Sequence, residues 1–382
     1  MKKNVWLLGV AVAALTSCTQ SEVVDIPESR VIGFDTHVDK STRAVDDIGD
    51  LSADFKELYV FGDKGTFTNS VFNPDDNTPY MNHVKVAGGK GNWTYNPHLS
   101  WVEGKTFRFA AYANGKGDGS SNAAKLTPYS EPTPAANTAT VKFVKHEAKT
   151  VDETTISTWG LDIDNYTVED RDLLVAIPHE VPITTLSSAP GSVGLTFKHV
   201  LAKVIFEFRY VANAADQNMV LEIVPFNVNA YHSGNCKLRY TGVADNSTIG
   251  ADWTTTGTAS PYVFFPQVDD KNQTWKSGNL QSAYYVIPQS NENLKVDNII
   301  IKSIKKINGV ESVTRTDNFT NVSLKISGHT EWLPGYVYRY MADITPGEHY
   351  IHFTTSVNSW VDEDNRNQTI GGGNAQQAGN NP

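Results

Sequence analysis

Two cysteines, ten histidines and a scatter of acidic residues are what this chain of 382 offers for chemistry. Cys18 closes the run Leu15-Thr16-Ser17-Cys18. Small residues just before a cysteine, behind a basic and then apolar N-terminus, are the pattern that bacterial lipoprotein signals use. The expected chemistry is therefore cleavage before Cys18 and acylation of its thiol. Cys236 alternates with charges in Cys236-Lys237-Leu238-Arg239-Tyr240 and reads as a small buried core residue. With Cys18 committed to lipid, no internal disulfide is expected.

Catalytic patterns are missing. His146-Glu147 and His179-Glu180 lack the second histidine of a zinc-binding helix, and no Gly-x-Ser-x-Gly or Cys-x-x-Cys occurs. Gly88-Gly89-Lys90-Gly91 has neither the spacing nor the hydroxyl of a phosphate loop. His349 and His352 stand three apart, which on a strand places them on opposite faces. Asp162, Asp164 and Asp170 lack the order of a calcium loop. His199, beside Lys198, reads as a structural residue at a sheet edge. No enzyme activity, cofactor or metal is expected.

Lys2 and Lys3 precede eleven apolar residues from Val5 to Leu15, too few for a membrane-spanning helix, which needs about 18. Residues 1–17 are thus an expected signal peptide and 18–30 a tether. The net charge of −10, without a basic patch beyond Lys302, Lys305 and Lys306, argues against a nucleic-acid partner. Forty per cent hydrophobic residues suit a globular chain long enough for two domains.

The elements that would position any site are strands. From Leu195 to Tyr210, Val204, Phe206, Phe208 and Tyr210 alternate with Lys203, Glu207 and Arg209, a period of two with one buried face. Lys198 and His199 interrupt the series and predict a bulge or an edge where the sheet turns. Residues 177–194 hold three prolines and two glycines, a crossing rather than a strand. Phe107, Phe109 and Ala111 form another alternating face. Asn308-Gly309 between two strand-like runs predicts a hairpin with a type I′ turn. No run of twelve residues shows helical periodicity. The fold class expected is all-β, two tandem antiparallel β-sandwiches, the first over 31–188 and the second over 189–360, with a polar, disordered tail over 361–382.

Asp172-Leu-Leu-Val-Ala176, followed by Phe197-Lys-His199-Val-Leu-Ala-Lys203-Val, resembles the mid-chain signature of the fimbrillin-like proteins, lipoproteins that build type V pili. The resemblance implies transthyretin-like sandwiches. It implies a pilus subunit on the outer membrane or cell surface, held by lipid on Cys18 and partnered head-to-tail by other subunits. In that family a protease cuts behind the arginine of a Thr-Arg-Ala sequence just after the first strand. Here Thr42-Arg43-Ala44 lies in that place, so Arg43 and Ala44 are the expected processing site.

The first and last strand-like runs share one pattern. Residues 32–38 and 351–357 both read Ile-x-Phe-x-Thr-x-Val. Ile32, Phe34, Thr36 and Val38 form the face of a removable plug, and Ile351, Phe353, Thr355 and Val357 that of a candidate donor strand. A seat shaped for one accepts the other, which is what strand addition between subunits requires. An interface of that kind does not close on itself and so propagates a filament. The alternative reading is a non-polymerising, glycan-binding surface lipoprotein, since Trp93, Trp159, Trp253 and Trp275 lie near turn-rich segments where rings can stack on host or bacterial surface sugars.

Overall fold

The computed structural model describes residues 30–38, 57–88, 92–115, 126–128, 139–151, 154–168, 172–210, 219–240, 249–266, 275–277, 279–344 and 353–359. The regular elements among them are all strands apart from one 3₁₀ turn at Leu186–Ser188. Cys18, Arg43, Ala44, Ile351 and the tail beyond Trp360 lie outside the described residues.

The first body is built on an eight-stranded sheet in the order Gly33–Val38, Ser192–His199, Asp172–Ala176, Lys105–Gly115, Glu57–Thr68, Val71–Pro74. Val181–Ile183 also pairs with Lys105–Gly115, and Met81–Ala87 with Glu57–Thr68. Strand periodicity decides what each face buries. Phe107, Phe109, Ala111, Leu174 and Ala176 enter a cluster on one face with Ile32, Phe34, Tyr95 and Trp101. Ala110, Tyr112, Leu173 and Val175 enter a second cluster on the other face. That second cluster is the interior of a sandwich. Its opposing sheet has five strands, in the order Ile249–Thr256, Ser233–Tyr240, Thr154–Thr167, Thr140–Val151, Thr127–Pro128. Cys236 is buried there as expected, and burial pushes its thiol well above the ordinary value.

A second sandwich packs a four-stranded sheet, Asn279–Val286, Ala202–Tyr210, Tyr336–Ile344, Phe353–Ser359, against a six-stranded one centred on Lys295–Ile307. Val204, Phe206 and Phe208 face Phe226, Phe264, Ile299 and Ile301 in one core. The predicted alternation is thus correct, although Ile205 on the opposite side is buried too. The Asn308-Gly309 hairpin is also as predicted: Ile307 pairs with Val310, and both turn residues have positive φ, 51° and 81°.

A division after residue 188 does not follow these sheets. Ser192–His199 pairs with Gly33–Val38 in the first body, and Ser233–Thr256 supplies two strands of that body's second sheet. The chain passes between bodies at Val200-Leu201. The Val200 N–H donates to the Leu173 carbonyl (3.1 Å), and the Leu201 carbonyl accepts from Gly335 N–H (2.8 Å). The proline- and glycine-rich run 177–194, expected to hold no strand, turns the chain within the first body but carries the short strand Val181–Ile183 and the start of Ser192–His199. The Lys198-His199 interruption marks the strand end beside this crossing point.

Candidate functional site

The first strand, Gly33–Val38, is the outermost of its sheet and runs parallel to Ser192–His199, with Phe34 opposite Val193, Thr36 opposite Leu195 and Val38 opposite Phe197. Its partner is more than 150 residues away in sequence, so no hairpin turn ties it down. Alternation turns Ile32 and Phe34 inward, where both are buried, and leaves Gly33 and Asp35 half-exposed. The Phe34 ring meets Phe109 edge-on at 6.0 Å and Tyr95 at 5.7 Å. Thr36 is half-buried; Val38 is fixed in register by its pairing.

Residues 93–101 close over the strand from the other side. Ile32 N–H donates to the Leu99 carbonyl (2.9 Å), and Tyr95 Oη–H donates to the Ile32 carbonyl (2.8 Å). Trp101 N–H donates to the Arg30 carbonyl (2.8 Å), and the indole N–H of Trp93 donates to Thr36 Oγ1 (2.9 Å). Burial raises the Tyr95 phenol above its ordinary pKa, so it stays a neutral donor. Trp101 is itself anchored through its indole N–H on the Pro190 carbonyl (2.9 Å). At Gly33 a Cβ would sit 2.5 Å from the Gly191 carbonyl oxygen, so the strand approaches its partner as only glycine permits. The seat is therefore a slot with one wall of sheet edge and one of aromatic loop. It lies on the face away from the inter-sheet interior, not in the trench between the two sheets.

Sequence reasoning found the strand but missed its clasp. Trp93 is half-buried against the first strand rather than a ring open to sugars, and the alternation Trp93-Thr94-Tyr95 is the sequence signal for an inward face. Trp159 is also buried, 2 % exposed, with its indole N–H on the Phe109 carbonyl (3.0 Å), and offers no ring to solvent. Trp253 is half-buried, and Trp275 lies in the short strand Trp275–Ser277. Asp162 is not merely solvated: it pairs with Arg239 at 2.7 Å.

The structure gives the mid-chain signature a physical role. Asp172 is fully buried and its Oδ2 bonds His199 Nδ1, tying the strand Asp172–Ala176 to the end of Ser192–His199. That is where the first strand's partner joins the rest of the sheet, opposite Leu174 and Val175. Among the described residues no three potential metal ligands cluster.

The last strand, Phe353–Ser359, pairs antiparallel with Tyr336–Ile344 at the outer position of the four-stranded sheet. Val357 is buried, Thr355 is half-buried opposite Tyr340, and Phe353 packs edge-on to Phe206 (6.1 Å) and Phe208 (6.0 Å). The structure does not bring the two matched faces together. Each occupies an outer position in its own body.

No curated protein matches the chain. Among solved structures it is similar to a fimbrial protein from Bacteroides vulgatus ATCC 8482, at 16 % identity and a TM-score of 0.52, over 87 % of this chain and 99 % of that one. The fimbrial anchor protein Mfa2 from Porphyromonas gingivalis aligns over 87 % of this chain and 98 % of its own at 9 % identity, with a TM-score of 0.30. The family model described as fimbrillin-like matches residues 42–360, most of the chain, and begins just beyond the strand that fills the slot; the protein belongs to the fimbrillin-like family.

Proposed function

We propose that the protein is a structural subunit of a type V pilus, exported as a lipoprotein on Cys18, cut after Arg43 and polymerised at the cell surface by strand exchange in the service of adhesion. The observation that supports this most is the first strand itself. It is outermost, joined to a distant partner and inserted by Ile32 and Phe34 into an otherwise complete apolar cluster. Cleavage between Arg43 and Ala44 would free it from the rest of the chain without a cut in any described strand. Its loss uncovers Phe109, Tyr95 and Val193 and leaves the edge of Ser192–His199 unpaired, a template for an extended segment of a neighbour. Burying each large side chain there contributes about 1.5–3 kcal/mol, and each ladder bond a net ~0.5–1.5 kcal/mol.

Donation is the more demanding half. Phe353–Ser359 carries the matching face, but leaving its own sandwich uncovers Phe206 and Phe208. A subunit that keeps this strand at home accepts a neighbour's strand and gives none.

Two variants test the reading. Arg43→Ala should yield lipidated protein that begins at Cys18 and never forms polymer ladders on denaturing gels of unboiled cell-surface fractions; ladders from it reject processing there. Phe353→Asp should leave the monomer folded and block assembly if the last strand is donated. Loss of the monomer's cooperative melt instead assigns that strand to its own core alone.

A further inference from the structure

We infer that the cleft between the two bodies is a binding site for a short neutral oligosaccharide. This rests on the cleft and not on the assembly reading, and its test is independent of polymerisation. The cleft is about half open to solvent and has a volume of about 650 Å³, within the range of small-molecule sites, about 300–1,000 Å³, which favour domain interfaces. One wall is Ile249–Thr256, the outermost strand of the five-stranded sheet; the other is the two-stranded ribbon of Gln289–Ser290 and Glu331–Trp332.

The walls are held before any ligand arrives. The Trp253 ring is pinned by its indole N–H on the Val200 carbonyl (2.8 Å) and lies edge-on to Tyr166 at 5.8 Å. Gln289 accepts from Tyr231 N–H (2.9 Å) and donates to the Tyr231 carbonyl (3.1 Å), fixing that residue at the rim. Preorganised walls lower the ordering cost of binding.

The lining then selects the chemistry. It brings Tyr231, Leu333 and the half-buried Trp253 together with the exposed carboxylates of Asp252 and Glu331 and with Thr254 and Thr255; on the strand Asp252 and Thr254 take one face and Trp253 and Thr255 the other, so the cleft runs along the strand's edge. No Lys, Arg or His is among the described lining residues. The charged groups of the lining itself are carboxylates, with Lys237 one strand away opposite Asp252, so phosphorylated, sulfated or uronic-acid ligands would meet like charge first. Carboxylates accept strongly from hydroxyl donors, and apolar rings suit the C–H faces of a pyranose.

The test titrates full-length protein with neutral trisaccharides of gluco, manno, galacto, xylo and N-acetylglucosamine type, with trigalacturonate and with a lysine-rich decapeptide, following tryptophan fluorescence and heat. At least one neutral trisaccharide should saturate in the millimolar range or tighter. The doubly substituted D252N, E331Q protein, altered only at exposed positions, should bind it about tenfold more weakly with an unchanged melting temperature. Trp253→Ala should remove the fluorescence response. Failure of every neutral trisaccharide, unchanged affinity in the double variant, or preference for trigalacturonate or the peptide would each overturn the assignment.

Discussion

At the scale of single residues, burial decides ionisation. His83, at positive φ (56°), stacks on Tyr59 at 4.5 Å and hydrogen-bonds the Tyr112 hydroxyl, and burial lowers its pKa to about 4. An unfolded histidine titrates near 6.5, so between those values the unfolded chain binds the proton and the folded one does not. Stability from this group is therefore complete above pH 6.5 and is lost as pH falls towards 4, by about 3 kcal/mol at most. His83→Asn keeps a residue tolerant of positive φ and removes the titration. Urea midpoints measured from pH 7 to 4.5 should fall less steeply in that variant than in the parent. A second residue-scale device is Arg108, 1 % exposed, whose guanidinium lies between Phe72 (4.2 Å) and Trp159 (4.4 Å) and pairs with Glu180 at 3.0 Å. Ring faces and one carboxylate there make a buried charge tolerable.

At the scale of the element, the first strand is worth what its two inward side chains and its ladder contribute. Phe34→Ala should destabilise uncut protein by about 3–5 kcal/mol, as truncation of a buried phenylalanine does. Thermal denaturation of the uncut protein checks this, and an unchanged midpoint would mean that Phe34 does not hold the strand in its slot. The legibility of such elements was uneven. Alternation alone located Val204, Phe206 and Phe208, and Asn308-Gly309 located its hairpin, because a pleat and a turn are set by neighbouring residues. The clasp by Tyr95 and Trp101 was not legible, since it joins segments some 60 to 90 residues apart.

At the scale of the molecule, the chain does not fold as two successive halves. It leaves the first body at Val200-Leu201, enters the second, and returns for Ser233–Tyr240 and Ile249–Thr256. A fragment ending at residue 188 lacks those strands and Ser192–His199, leaving Trp159 without the Tyr240 ring stacked on it and Leu161 without Leu238 beside it. It should lack cooperative unfolding, by circular dichroism and amide dispersion, whereas a fragment ending at residue 188 that melts sharply would restore the simpler division.

What the sequence determined by itself is local: strands rather than helices, which side of each strand is apolar, the hairpin turn, a lone buried thiol at Cys236 and the signature that tied Asp172-Leu-Leu-Val-Ala176 to Phe197-Lys-His199. What only the tertiary structure decided is which strands are neighbours. The parallel pairing of Gly33–Val38 with Ser192–His199, the slot on the outer face and the cleft between bodies all depend on which distant edges meet. A pleat repeats every two residues whatever lies beside it, so its pattern names a buried face without naming the partner that buries it.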